Sequence, residues 1–192
     1  MGFLISTIVG SIVDANKMIK QKKAMQDDTS KEVVVDGRYA IRVPSFLSPA
    51  RIKNEDASLH YNSISLDVSF LVIDEPKSDF IHTIKELESE APTLFGSDKS
   101  LLDKMATLVL GNMFDMDEVE IGNYTQTKIN GLNAITLNAF QKRTFFKDAI
   151  YASFAFVEGR DTLYQIQIIS GGTSIRKLAD KLEPAIASFR EL

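Results

Sequence analysis

The most constraining feature of the chain is its second half. Four apolar-rich runs, at about 118–128, 132–145, 149–158 and 162–170, follow one another with almost no chain between them. Asn130–Gly131 separates the first pair and Glu158–Gly159–Arg160–Asp161 the last pair, both compositions that turn the chain tightly. Parallel neighbours would need a crossover of a dozen residues or more, so these runs predict an antiparallel meander. The apolar content of 150–157 predicts an interior strand. In the last run Tyr164, Ile166 and Ile168 oppose Leu163, Gln165, Gln167 and Ile169, which predicts an amphipathic strand with one face partly exposed.

The first half adds a second set of elements. Glu32–Val35 and Arg38–Val43 read as a hairpin around Asp36–Gly37, closed by Pro44. Ser45–Ser48 reads as a short helical turn and Ser58–Tyr61 as a strand. Ile64, Leu66, Val68, Phe70 and Val72 alternate strictly, predicting a core strand over 64–73. The period then changes to that of a helix at Phe80, Ile81, Ile84 and Leu87, and again at Leu101, Leu102, Met105, Leu108 and Val109, where Ser100 and Asp103 form a cap pair. A final helix is predicted from Thr173 or Ser174, with Ile175, Leu178, Leu182, Ile186 and Phe189 inward and Pro184 as an interruption. The pattern is that of one α+β domain over 32–192, an antiparallel sheet flanked by helices.

The amino-terminal residues differ in kind. Residues 2–13 are apolar or small, too few to span a bilayer, and Lys17, Lys20, Lys22 and Lys23 follow against one aspartate, Asp14. A secretory signal carries its positive charge before the apolar stretch, whereas here it comes after. Ile5, Ile8, Val9, Ile12 and Ile19 fall on one helical face while Lys20 and Lys23 extend toward water. Such a helix suits packing on its own domain, on a protein partner or at an anionic membrane surface. Ile5, Ile8, Ile12, Lys20 and Lys23 are the candidate docking residues, and 24–31 is a polar connector, making 1–31 one unit. Gly2 and Ser6 also meet the minimal myristoylation pattern. The expected location is the cytoplasm or the cytoplasmic face of a membrane.

Composition and motifs narrow the chemistry. Lys and Arg number 22 against 26 Asp and Glu, so there is no general cationic field for a phosphate backbone, and no nucleic-acid partner is expected. The chain has no cysteine, which removes disulfides and thiolate chemistry but leaves the redox compartment open. His60 and His82 sit in different elements outside any metal-spaced cluster. Asp115, Asp117, Glu118 and Glu120 do not reproduce a calcium loop and read as a solvated acidic connection. Asp79 with Glu86, and Glu88 with Glu90, are carboxylate pairs without a partner motif. Nucleophile-elbow, dinucleotide and phosphate-loop signatures are absent from the sequence, so no catalytic residue, metal or cofactor is assigned. Two surface regions remain as binding candidates: the basic and aromatic stretch with Arg143, Phe145 and Phe146, and Arg176 with Lys177 behind Gly171–Gly172 at a helix start.

Several segments carry a family resemblance: YAIRVP at 39–44, ISLDVSFLVI at 64–73, KINGLNA at 128–134, TLYQIQIIS at 162–170 and SF at 188–189. Residues 32–192 thereby resemble the Mog/PsbP-like superfamily. Its members include photosystem extrinsic subunits, a small-GTPase-binding import factor and bacterial envelope proteins of the DcrB type. The resemblance implies an antiparallel α+β fold and a noncatalytic role in protein binding or complex assembly. It brings no catalytic residues and no contact set. A membrane-peripheral lipid-associated accessory protein and an uncharacterised enzyme are the alternative readings.

Overall fold

The computed structural model describes residues 29–90, 95, 98–142, 149–171 and 178–192. Its strands and helices follow in the order β1 (Ser30–Val35), β2 (Tyr39–Pro44), β3 (Ser48–Pro49), β4 (Ala57–Ser63), β5 (Val68–Pro76), α1 (Lys77–Glu90), α2 (Leu101–Met113), β6 (Val119–Ile129), β7 (Leu132–Gln141), β8 (Ile150–Glu158), β9 (Thr162–Gly171), α3 (Ala179–Ala187) and β10 (Arg190–Glu191). One sheet has the order β1-β2-β10 and the other β3-β4-β5-β9-β8-β7-β6, with every pairing antiparallel. The α+β class with antiparallel sheets and flanking helices is therefore as the apolar periods predict.

Two cores enclose the large sheet. On one face, Tyr39, Ile41 and Val43 of β2 and Leu182, Ala185 and Ile186 of α3 pack onto Phe70, Val72, Ile166 and Ile168. On the other, Phe80 and Ile84 of α1 and Leu102, Met105 and Leu110 of α2 pack onto Ile135, Leu137, Phe154 and Phe156. Alternation along each strand splits these residues between the two faces, and each fully buried Phe or Ile contributes about 2 kcal/mol of transfer free energy. The rings of Tyr39, Tyr164 and Phe189 meet in a trio, with centroids 4.8–5.5 Å apart, and tie the last residues of the chain to both sheets.

Several expectations change. Tertiary packing covers both faces of β9, so Gln165 and Gln167 are only 6% and 4% exposed where an open polar face was predicted. The strand expected over 64–73 starts at Val68: Ile64–Leu66 forms a 3-10 turn, Asp67 takes a left-handed φ of 49°, and Ile64 stands 77% exposed. A left-handed residue ends the pleat, so alternation in sequence does not carry strand pairing across it. Ser45 and Phe46 form a turn closed by Leu47 N donating to the Pro44 carbonyl at 3.0 Å, and the chain then enters β3 rather than a helical turn. β1 also begins at Ser30, inside the stretch read as connector.

Local signals that depend on nearest neighbours behave as predicted. Asp36, Gly37, Asn130 and Gly131 all have positive φ, the first two in a three-residue loop with Arg38 and the second two as a two-residue turn. Ser100 accepts from Asp103 N at 3.2 Å while Asp103 accepts from Ser100 N at 3.1 Å, completing the capping box of α2. Pro184 lies inside α3. The predicted start of that helix falls on residues outside those described.

Candidate functional site

The free part of the large sheet on the α3 side forms a concavity. Register places Thr125 opposite Thr136, which faces Ala155, and Gly122 opposite Asn138, which faces Ser153. Thr125, Thr136, Asn138 and Ser153 line a groove of about 370 Å³ together with Asn123 and Lys128, and Glu183, Ile186 and Ala187 of α3 form its wall. Small residues at these positions leave the sheet uncovered, whereas large apolar ones would have drawn another element onto it. Hydroxyl and amide side chains both donate and accept, so the floor presents neutral hydrogen-bonding groups of either sense. The lining contains no histidine among the described residues.

The wall is held by a clamp that arises in the Asn130–Gly131 turn. The Asn130 amide donates to the carbonyls of Ala187 at 3.1 Å and Phe189 at 2.7 Å, satisfying backbone acceptors just past the helix. From the other side, Arg42 N donates to Ser188 Oγ at 2.8 Å, and that hydroxyl donates to the Ala185 carbonyl at 2.6 Å. Asn130–Gly131 was legible as a turn. That the same asparagine also fixes the groove wall has no sequence signal, because its partners lie 57 and 59 residues away.

Ionisable groups elsewhere are bound into structural contacts. At the tip of the β1–β2 hairpin Arg38 pairs with both Asp36 and Asp74, and Lys77 pairs with Glu158 at 3.0 Å. Glu191 accepts from Tyr164 Oη at 3.1 Å and from Arg160 N at 2.9 Å. Burial pushes the Tyr164 hydroxyl up to about 12, with the Glu191 carboxylate acting in the same direction. Burial likewise pushes Tyr39 up to about 12, against the opposing effect of its 2.7 Å contact with Ser58. Burial raises Asp103 too, but hydrogen bonds from Ser100 and Tyr124 outweigh it and hold the carboxyl below its usual range. Burial, then the Asp79 carboxylate, raises Glu75.

The histidines and carboxylate pairs do not converge. His60 is lowered by burial, accepts from Asn54 N at 3.1 Å through Nδ1, and keeps a buried Nε2 without a partner. His82 stands exposed beside Glu86 at 3.3 Å. Glu88 pairs with Lys104 at 2.6 Å. Asp115, Asp117, Glu118 and Glu120 lie toward solvent, as a solvated connection would. Among the described residues no group of three or more His, Asp or Glu is placed to hold a metal ion, and no helix is long and apolar enough to cross a membrane. All the residues singled out from sequence for docking or surface binding, Ile5, Ile8, Ile12, Lys20, Lys23, Arg143, Phe145, Phe146, Arg176 and Lys177, lie outside the described residues.

No protein-family model matches the chain, and no curated protein matches it. Solved structures do. Cyanobacterial PsbP (CyanoP) from Synechocystis sp. PCC 6803 is 13% identical, with 86% of this chain and 94% of that one aligned at a TM-score of 0.55. The Saccharomyces cerevisiae Ran-binding protein Mog1p is 13% identical over 84% of this chain and 95% of its own, with a TM-score of 0.47. LpqN, involved in cell envelope biogenesis of Mycobacterium tuberculosis, is 9% identical over 85% and 90%, with a TM-score of 0.49. The architecture, antiparallel sheets flanked by helices, matches the Mog/PsbP-like fold.

Proposed function

We propose that this chain is a noncatalytic protein-binding or complex-assembly factor whose partner contacts the groove beside α3. The observation that carries the reading is the lining itself. Thr125, Thr136, Asn138 and Ser153 form an open floor of neutral groups suited to hydrogen-bonding a polypeptide surface. The sequence resemblance, whose members act by binding or assembly, supports the same reading.

The test is quantitative affinity purification from native lysate, with detergent-solubilised membranes included, comparing the full chain with Asn138→Arg. An arginine at this half-buried position fills the groove floor while its long side chain can still reach solvent. The partner recovered by the wild-type chain is then purified and titrated against both proteins. A tenfold or greater loss of affinity in a variant with an unchanged circular dichroism spectrum is expected. Equal recovery and equal affinity would refute the assignment of the groove.

A further inference from the structure

The opposite side of β6 carries a second surface, unrelated to the groove. Ile121 lies opposite Ala139, a residue of the α2-side core, so its side chain faces α2. The register shift between Gly122 and Thr125 inserts one extra residue and reverses the alternation, which brings Tyr124 onto the same side. Its hydroxyl bonds Asp103 at the start of α2. Met116 stands in the turn that enters β6. These three apolar side chains are 42–51% exposed within nine residues of sequence, at the free edge of the large sheet. Beside them stand Asp115, Asp117 and Glu118, all exposed, while Glu120 alternates to the other face of β6 and pairs with Lys142.

We infer that this acidic-apolar surface is the docking site for the chain's own residues 2–23. The two sequences are complementary in order and in charge: an apolar face at Ile5, Ile8 and Ile12 leads into Lys17, Lys20, Lys22 and Lys23, and an apolar patch borders three carboxylates. Burying the isoleucines on Met116, Ile121 and Tyr124 removes apolar surface on both sides, while the lysines meet the carboxylates at the rim.

The reach is sufficient. The described chain starts at Thr29, whose carbonyl accepts from Ser45 N at 2.9 Å, three residues before edge strand β3. A row of paired residues crosses the sheet from that edge: Ser48, Asn62, Ser69, Ile169, Ala152, Ala139 and Ile121. Six interstrand steps span about 29 Å. The six residues from Thr29 back to Lys23 reach about 20 Å when extended, and the twelve to Lys17 about 40 Å. Lys20, nine residues back with a reach of about 30 Å, and Lys17 can therefore stand over the acidic turn, with the isoleucines on the patch beyond.

The test uses the full chain, which has no cysteine and so accepts one nitroxide label cleanly at Ser11→Cys. Amide signals of Met116, Ile121 and Tyr124 are expected to broaden, and those of Thr136 and Asn138 to stay sharp. The broadening should shrink with Asp117→Lys/Glu118→Lys and return when Lys17→Glu/Lys20→Glu is added to that pair. Raising salt on the unmutated charges is expected to weaken it as well, which keeps the test alive should the reversed-charge variant fail to fold. Sharp signals at all three residues, or broadening centred instead on Ile64, would overturn the inference. So would broadening that appears only when isotope-labelled chains without nitroxide are mixed with nitroxide-labelled chains, since the occupant would then be a second copy.

Discussion

Replacing Asn130 tests how a two-residue turn governs the wall of the groove. Asn130→Asp preserves the local conformation, because aspartate tolerates the left-handed φ of 47° that the turn needs. It removes the donor that serves the Ala187 and Phe189 carbonyls. Two lost hydrogen bonds amount to about 2 kcal/mol, and a carboxylate held against two carbonyl oxygens near the surface adds about 1 kcal/mol. For a chain of this length, about 3 kcal/mol lowers Tm by roughly 6–12 °C. Asn130→Gly accepts the same φ and lacks the repulsion, so its loss should be nearer 2 kcal/mol.

The pH dependence separates these causes. The carboxyl introduced by Asn130→Asp can donate only when protonated, so folding would raise its pKa above the ordinary value of about 3.9. The stability recovered by that proton is present below the unfolded pKa and lost as pH rises through the folded one. Urea melts of Asn130→Asp at neutral and acidic pH, each referred to wild type, should show a gap that narrows on acidification. Amide exchange at Ile186 and Ala187 should quicken in both variants while Phe154, on the other face, keeps its protection. Equal destabilisation of the two variants at every pH, or none in either, would refute the clamp.

Other substitutions probe the remaining devices. A Cβ at Gly159 would overlap Glu191 Oε1 and lie 2.7 Å from Tyr164 Cε2, so Gly159→Ala should cost about 2 kcal/mol in urea melts by displacing the carboxylate from Arg160 N and Tyr164 Oη. Ser100→Ala removes half of the capping box and should cost about 1 kcal/mol by the same measurement. Tyr39 and Tyr164 are raised from an ordinary value of 10.0 to about 12. Their contribution is full below pH 10 and is lost as pH rises toward 12, so the alkaline limb of a stability–pH profile should fall there and flatten in Tyr39→Phe.

Turns, caps and helices were readable because they depend on residues a few positions apart. Asp36–Gly37, Asn130–Gly131 and Ser100 with Asp103 each act within four residues, and the helical spacing around Phe80 and Leu102 repeats inside one element. The same locality explains the failure at Ile64 and Leu66. Their alternation with Val68 is real, but a left-handed Asp67 interrupts the pleat that it advertises. Gln165 and Gln167 misled for the opposite reason: their polarity suggested solvent, while the helical layer across the sheet buries them.

The groove belongs to the part of the molecule that sequence order leaves open. Thr125, Thr136, Asn138 and Ser153 are ordinary polar residues along three strands, and only the pairing register gathers them on one floor. The clamp from Asn130 to Ala187 and Phe189 spans nearly a third of the chain, and the ring contacts of Tyr39 with Tyr164 and Phe189 reach further still. Hydrophobic period and turn chemistry are short-range and are written in neighbouring residues. Which faces become covered, and which stay open to bind, follows from how distant elements stack and exclude water, and that is decided in three dimensions.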